Sequence, residues 1–337
     1  MWEANGMKST IEKVIRESPL IVTDHHSAME IPRDFDADLL ENLALDNPRV
    51  ASTILLEAPD GEVPLITPYE DSPFSFVRAH LPRAILDAIR RPDQVDYRTV
   101  EGQVTHDGFP VTCMPNGHYW AGTLEADESK VVPLLRKPWN HDQQKRLQAA
   151  AYHPMRDAIL EAIERARAQY GHAIVLDSHT APRDMNIHRG VWGGHYAHGP
   201  EVKRAGPSPW VRPPGPDGLT LPDVILIVNS PDGRRPGSCT QAVYDVVKGH
   251  FEKAGLYVEI GSGPLLGDYG PPKNYADRSR GVNVISVEMI GTSVEPHPNP
   301  GRRVGARDFN LESCNRLRGV YGAILEDLAR LPTRDLK

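Results

Sequence analysis

Three short segments place metal-binding or proton-transferring residue types at the ends of apolar runs. The first is Asp24-His25-His26-Ser27-Ala28-Met29-Glu30, directly after Pro19-Leu20-Ile21-Val22-Thr23. His26 and Glu30 are four residues apart, so a helical turn after a strand would put both on one face. A neutral imidazole and a carboxylate are good ligands for zinc, at roughly 2.0–2.2 Å. Asp24 is a candidate to hold the ring nitrogen that a metal leaves unused. His25 adjoins His26, and which of the two would bind stays open.

The second segment is Leu176-Asp177-Ser178-His179-Thr180, where His179 lies two residues past the run Ala173–Asp177. On an extended chain Asp177 shares its side by period two, so it could orient His179 or pack beside it. The third is Ser286-Val287-Glu288-Met289-Ile290. A carboxylate inside an apolar strand is costly unless it is paired, hydrogen-bonded or near a metal. Two histidines and a glutamate around an open fourth position match catalytic rather than structural zinc. Such an ion polarises a carbonyl and acidifies water. Glu288 could take the proton from that water and pass it to a leaving nitrogen. The expected metal ligands are therefore His26, Glu30 and His179, with Glu288 as catalytic carboxylate. Each motif alone has a bland reading: an HxxxE spacing arises by chance, and a lone histidine or glutamate is usually structural. The conjunction at strand ends is what carries weight.

These residues need strands to position them. Residues 19–23, 75–79, 173–177, 223–230, 256–262 and 283–291 are compact apolar runs read as strands, and 64–68 is read as another. Residues 9–17, 37–47, 48–57, 83–90, 238–255 and 312–331 read as helical. Residues 141–169 carry Leu147, Ala151, Met155, Ile159 and Ile163 near a 3.6 period, with Pro154 as a kink or restart and Gly171 as a C-cap. Strand–helix alternation with long crossovers implies an α/β fold with a mixed, mostly parallel sheet and helices on both faces. Nothing marks a linker, so the expectation is a single domain over 1–337 with loop insertions near 91–140 and 185–222.

The 337 residues carry a formal net charge of −7 and no Lys/Arg-rich run, which speaks against nucleic acid as a partner. Apolar residues make up 39% and charged residues 25%, an ordinary globular balance. No run of 18 apolar residues exists, and the first twenty residues lack the apolar stretch of a secretory leader. Three scattered cysteines, Cys113, Cys239 and Cys314, form no CxxC pair. The expectation is a cytoplasmic protein with no membrane partner, its oligomeric state left open.

Taken in order, these segments resemble the N-formylglutamate amidohydrolase family. Residues 19–32 resemble its strand followed by P-H-S-G-x-x-x-P. Val95-Asp96-Tyr97-Arg98 resembles its D-L-N-R segment, 150–160 its Y-H helix, and Val175–Thr180 its D-x-H-S signature. Residues 223–241 are similar to the stretch leading to a Gly-Ser-Cys turn, and 268–288 to a Gly-rich loop and a strand carrying a glutamate. The resemblance implies a zinc carboxypeptidase-like fold and one zinc ion on His26, Glu30 and His179, other divalent metals being possible. It also implies Glu288 as general base and Arg98 as the clamp for a substrate carboxylate, since Arg binds carboxylates with a fork geometry.

Arg189, in the His- and Trp-rich segment after the His179 strand, is a further candidate for substrate binding, as are Tyr269 and Arg278. The expected reaction is hydrolysis of the amide bond of an N-formyl or N-acyl amino acid. Departures such as His25-His26-Ser27-Ala28 for HSG, and Tyr97 for Asn, lie around the pocket and bear on the acyl group more than on the chemistry. The rival readings are a zinc carboxypeptidase or amidase taking a larger or aromatic acyl group, and a non-catalytic binding protein of the same fold.

Overall fold

The computed structural model describes residues 10–28, 30–47, 63–69, 72–83, 85–86, 88, 120–121, 132–133, 135–181, 222–230, 235–261, 270–290 and 311–336. Its centre is a seven-stranded sheet. In chain order the strands are β1 (Ile11–Val14), β2 (Leu20–Asp24), β3 (Ser75–Ala79), β6 (Ala173–Ala181), β7 (Val224–Ile227), β8 (Val258–Ile260) and β9 (Val282–Ile290). A separate two-stranded ribbon joins β4 (Trp120–Ala121) and β5 (Val132–Pro133). The main sheet runs β1-β3-β2-β6-β9-β7-β8. The pairs β2–β3, β2–β6, β6–β9 and β7–β8 are parallel, while β1–β3 and β7–β9 are antiparallel. The fold is thus α/β with a mixed, mostly parallel sheet.

The central strands are apolar almost throughout because both of their faces are covered. On one face Ile21, Val175, Val282 and Val284 meet Met155, Ala158, Ile159, Ala162 and Ile163 of helix α4 (His153–Tyr170). On the other, Leu20, Val22, Leu176, Leu226, Ile285 and Val287 meet two helices. These are α5 (Gln241–Lys253), through Val243, Val247 and Phe251, and α7 (Leu311–Ala329), through Leu317, Tyr321, Ile324 and Leu328. Period-two alternation along each strand sorts the residues between the faces.

A third cluster lies outside the sheet, where α1 (Ala37–Asn42) and α3 (His141–Leu147) gather Leu39, Leu43, Trp139 and Leu147. Asn140 starts α3 with a reciprocal capping box to Gln143. Between α3 and α4 the helix widens to a π-type stretch, Gln148–Tyr152. Pro154 explains it: proline has no N–H to give the carbonyl four residues back, that of Ala150. The Thr10 hydroxyl donates to that carbonyl instead. Gly171 ends α4 in the left-handed conformation, at φ 76°.

Three local expectations are corrected. Residues 9–17 are not helical: Ile11–Val14 is an edge strand paired with Phe76–Ala79. Glu and Lys favour helix locally, but the ladder to β3 and the pairs Glu12–Arg78 and Lys13–Glu161 outweigh that small propensity. Residues 64–68 are not a strand: Val63–Ile66 form one helical turn, α2, with Val63 and Ile66 both buried. A short apolar run does not by itself distinguish the two, and Pro64 in a first turn forfeits no helical bond. Finally, the strand read over 173–177 does not stop at Asp177 but runs on to Ala181, because β9 pairs with β6 as far as Ala181↔Ile290. Residues 48–57 and most of 91–140 and 185–222 lie outside the described residues, and 83, 85 and 88 are turns.

Candidate active site

The sheet register builds the site in two rows at the carboxyl ends of the parallel strands, where open α/β folds carry their ligands. Thr23 pairs with Asp177, and Asp177 with Ser286. Partners in register point to the same face, so three polar side chains stand abreast on adjacent strands. One pleat further on, His179 pairs with Glu288. His25 follows β2 on the same side.

Asp177 is the hub. It is fully buried, and its Oδ1 accepts from the Thr23 hydroxyl at 2.7 Å and stands 2.9 Å from His25 Nδ1. Its Oδ2 accepts from the Ser286 hydroxyl at 2.8 Å and stands 2.6 Å from His179 Nε2. Burial alone would push the carboxyl up. The charges of His179 and His25, with their hydrogen bonds, outweigh it and hold the group well below the usual carboxylate range.

His25 and His179 are nearly parallel rings with centroids 6.3 Å apart. One donor atom from each of His25, Asp177 and His179 lies within 4.8 Å of the others, so these buried residues form a group that could hold a metal ion. Their fit to a cation is supported by His25 Nε2, which is buried and has no hydrogen-bond partner among the described residues. An unpaired buried ring nitrogen is costly unless something else binds it. His26 is buried beside them, its ring centroid 5.1 Å from that of His179.

Asp24 points to the opposite face. It accepts from the Ser27 backbone N–H at 3.1 Å, the Ser27 hydroxyl at 2.5 Å and the Tyr69 hydroxyl at 3.3 Å, and so fixes the turn that presents His25 and His26. On that same far face Ser178 and Tyr321 share a hydrogen bond of 2.7 Å. On the site face, the short helix α6 (Pro271–Tyr275) brings in Tyr275. Burial, then the nearby Tyr152 and Asp177, push its phenol far up, so it is a neutral hydroxyl at neutral pH.

His26 and His179 come together, and Glu288 stands half-buried on the strand beside His179. Residues 25–26 form a bend and 27–28 are irregular, so 25–28 do not turn helically, and Glu30 is exposed. Arg278 is exposed in a single helical turn, Arg278–Arg280, where β9 begins, whereas Glu288 is near where it ends. The six residue steps from Val282 to Glu288 span about 20 Å of strand. Arg98, Arg189 and Tyr269 lie outside the described residues. Thr23 and Ser286 escaped the sequence reading. Their signal was present: Thr23/His25, Asp177/His179 and Ser286/Glu288 repeat one polar spacing of two at the end of three apolar strands.

Fold and site together define an α/β protein with a buried, metal-capable His/Asp/His group and a neighbouring glutamate at the carboxyl ends of its strands. The model of the family described as N-formylglutamate amidohydrolase matches residues 18–291, and the chain belongs to that family of amide hydrolases. A solved structure of N-formylglutamate amidohydrolase from Ralstonia eutropha JMP134 superposes with a TM-score of 0.63 at 18% identity, covering 96% of this chain and 99% of that one. A gene product of Agrobacterium tumefaciens gives a TM-score of 0.43 at 13% identity, covering 95% and 96%. No curated protein matches the chain. Among the described residues no helix is long and apolar enough to cross a membrane.

Proposed function

We propose that the protein hydrolyses the amide bond of an N-formyl or N-acyl amino acid, using a divalent metal, zinc by its nitrogen and oxygen donors, and Glu288 as general base. The observation that carries this reading is the row His25, His179 and Glu288 at one end of the sheet, above the anionic hub Asp177. The residues that would hold the ion are His25 and His179, with Asp177 between them and His26 beside His179. Such an ion supplies Lewis acidity, polarising a carbonyl and acidifying water.

The chain's own residues do the rest. Glu288 accepts a proton from the attacking water. The same proton then goes to the departing nitrogen, so the carboxylate ends the cycle as it began. Val287 and Met289 flank it on the buried face, and Ile225 is its partner on β7, which keeps its strand segment dry on one side. A drier setting strengthens each charge interaction at the reacting carbonyl. Arg98 is the proposed clamp for the substrate carboxylate, with Arg189 and Tyr269 as further proposed contacts. The setting is a cytoplasmic one, in which the buried Cys239 and Cys314 remain thiols.

The test is turnover of N-formyl, N-acetyl and aromatic N-acyl amino acids by zinc-loaded and chelator-stripped protein. Release of the free amino acid by the loaded protein alone is expected. A loaded protein that cleaves no member of the panel overturns the reading.

A further inference from the structure

A carboxylate has two oxygens with about four lone-pair sites in all. In Asp177 all four are taken: Oδ1 by Thr23 and His25, Oδ2 by Ser286 and His179. The arrangement is symmetric. Each oxygen receives one hydroxyl from the neighbouring strand in register and one imidazole N–H. A metal bond to Asp177 would have to displace one of these four donors. A hydroxyl so displaced would be left buried, since Thr23 and Ser286 are 0% and 2% exposed.

The same bonds settle which nitrogen each ring presents. An ionised carboxylate only accepts, so His25 must carry its proton on Nδ1 and His179 on Nε2. The nitrogens that face away from Asp177 are then His25 Nε2 and His179 Nδ1. For His25 this is the buried nitrogen that has no partner among the described residues. The two histidines use opposite ring nitrogens to reach Asp177.

We infer that Asp177 is the anchor of the site rather than a metal donor, and that Thr23 and Ser286 are positioning residues which orient its carboxylate and thereby hold His25 by Nδ1 and His179 by Nε2. This rests on the metal-site reading above. Without the Ser286 hydroxyl, Oδ2 loses its in-register tether and the carboxylate can rotate toward Oδ1. His179 then loses its fixed orientation though no atom near the metal has changed. Outer partners of this kind are commonly worth about 10–100-fold in metal affinity.

The first test uses the wild-type, metal-free protein. Histidine ¹⁵N resonances should report the Nδ1–H form for His25 and the Nε2–H form for His179. The reverse tautomer at either ring overturns the inference, and this measurement needs no variant to fold. The second is zinc affinity by chelator competition. Ser286→Ala and Thr23→Val should each weaken zinc about 10–100-fold, while Ser286→Thr and Thr23→Ser, which keep the hydroxyl, should restore it. Wild-type affinity in Ser286→Ala and Thr23→Val overturns it. Zinc affinity and tautomers do not depend on the substrate. A protein that meets both tests but cleaves no acyl amino acid refutes the proposed function and leaves the anchor in place. One that cleaves them with unchanged affinity in Ser286→Ala does the reverse.

Discussion

His179 on β6 and Glu288 on β9 are direct partners across a parallel pair, one pleat beyond the partners Asp177 and Ser286. An imidazole and a carboxylate are therefore held on the same face by nine consecutive register pairs rather than by a loop. That rigidity suits groups that must stay aligned while a bond breaks.

Glu288→Gln keeps the shape of the side chain and removes its ability to take a proton. The variant should fold and hold zinc as the wild type does, while turnover falls by about 10²–10⁴-fold. Steady-state kinetics with parallel metal analysis checks this. Wild-type turnover would mean that another base acts.

Zinc content distinguishes the candidate donors. His25→Ala and His179→Ala should each purify with little zinc and rebind it weakly. Glu30→Gln should retain it, because Glu30 is exposed and residues 25–28 do not turn helically. Loss of zinc from Glu30→Gln would return that residue to the ligand set.

Thr10→Val tests the repair of the π-type stretch. It removes the hydroxyl donor to the Ala150 carbonyl, to which Pro154, four residues on, cannot donate. A lost hydrogen bond to a partly buried acceptor costs about 1 kcal/mol, readable as a lower urea midpoint. Pro154→Ala restores an N–H, so the double variant should lose less than the sum of the single losses. Strict additivity would refute the link between the two residues.

Tyr69 makes the protein sensitive to alkali. Burial, with Asp24 close by, pushes its phenol well above its ordinary value. A tyrosine raised in the folded state contributes stability that is complete below the unfolded value near 10 and is lost as pH rises through the folded one. Tyr69→Phe should be less stable than wild type by about 1 kcal/mol at neutral pH, through the lost bond to Asp24. Its deficit should shrink above about pH 10, since phenylalanine has nothing to ionise. A deficit independent of pH would rule out this role for the phenol.

Much of the architecture was legible because local pattern and burial agree. Residues 19–23, 173–177 and 283–291 read as strands since a strand covered on both faces is a continuous apolar run. Helix α4 read as a helix from its 3.6 period, and Pro154 and Gly171 marked its breaks. The errors fell where pattern is weakest. Val63–Ile66 is too short to show a period, and Ile11–Val14 owes its strand to the hydrogen bonds of β3.

The sequence by itself determined the inventory: His25, His26, His179 and Glu288 at the ends of apolar runs, in an order that resembles one family of amide hydrolases. The helical spacing of His26 and Glu30 was a local inference, and residues 25–28 do not realise it. Tertiary structure alone decided that Thr23, Asp177 and Ser286 stand abreast and that Asp177 joins His25 to His179. Thr23 and Asp177 are 154 residues apart and Asp177 and Ser286 a further 109. No local preference sets the register of strands so distant in sequence. It is set by the packing of both sheet faces, where a slip of one residue would exchange the core face for the site face.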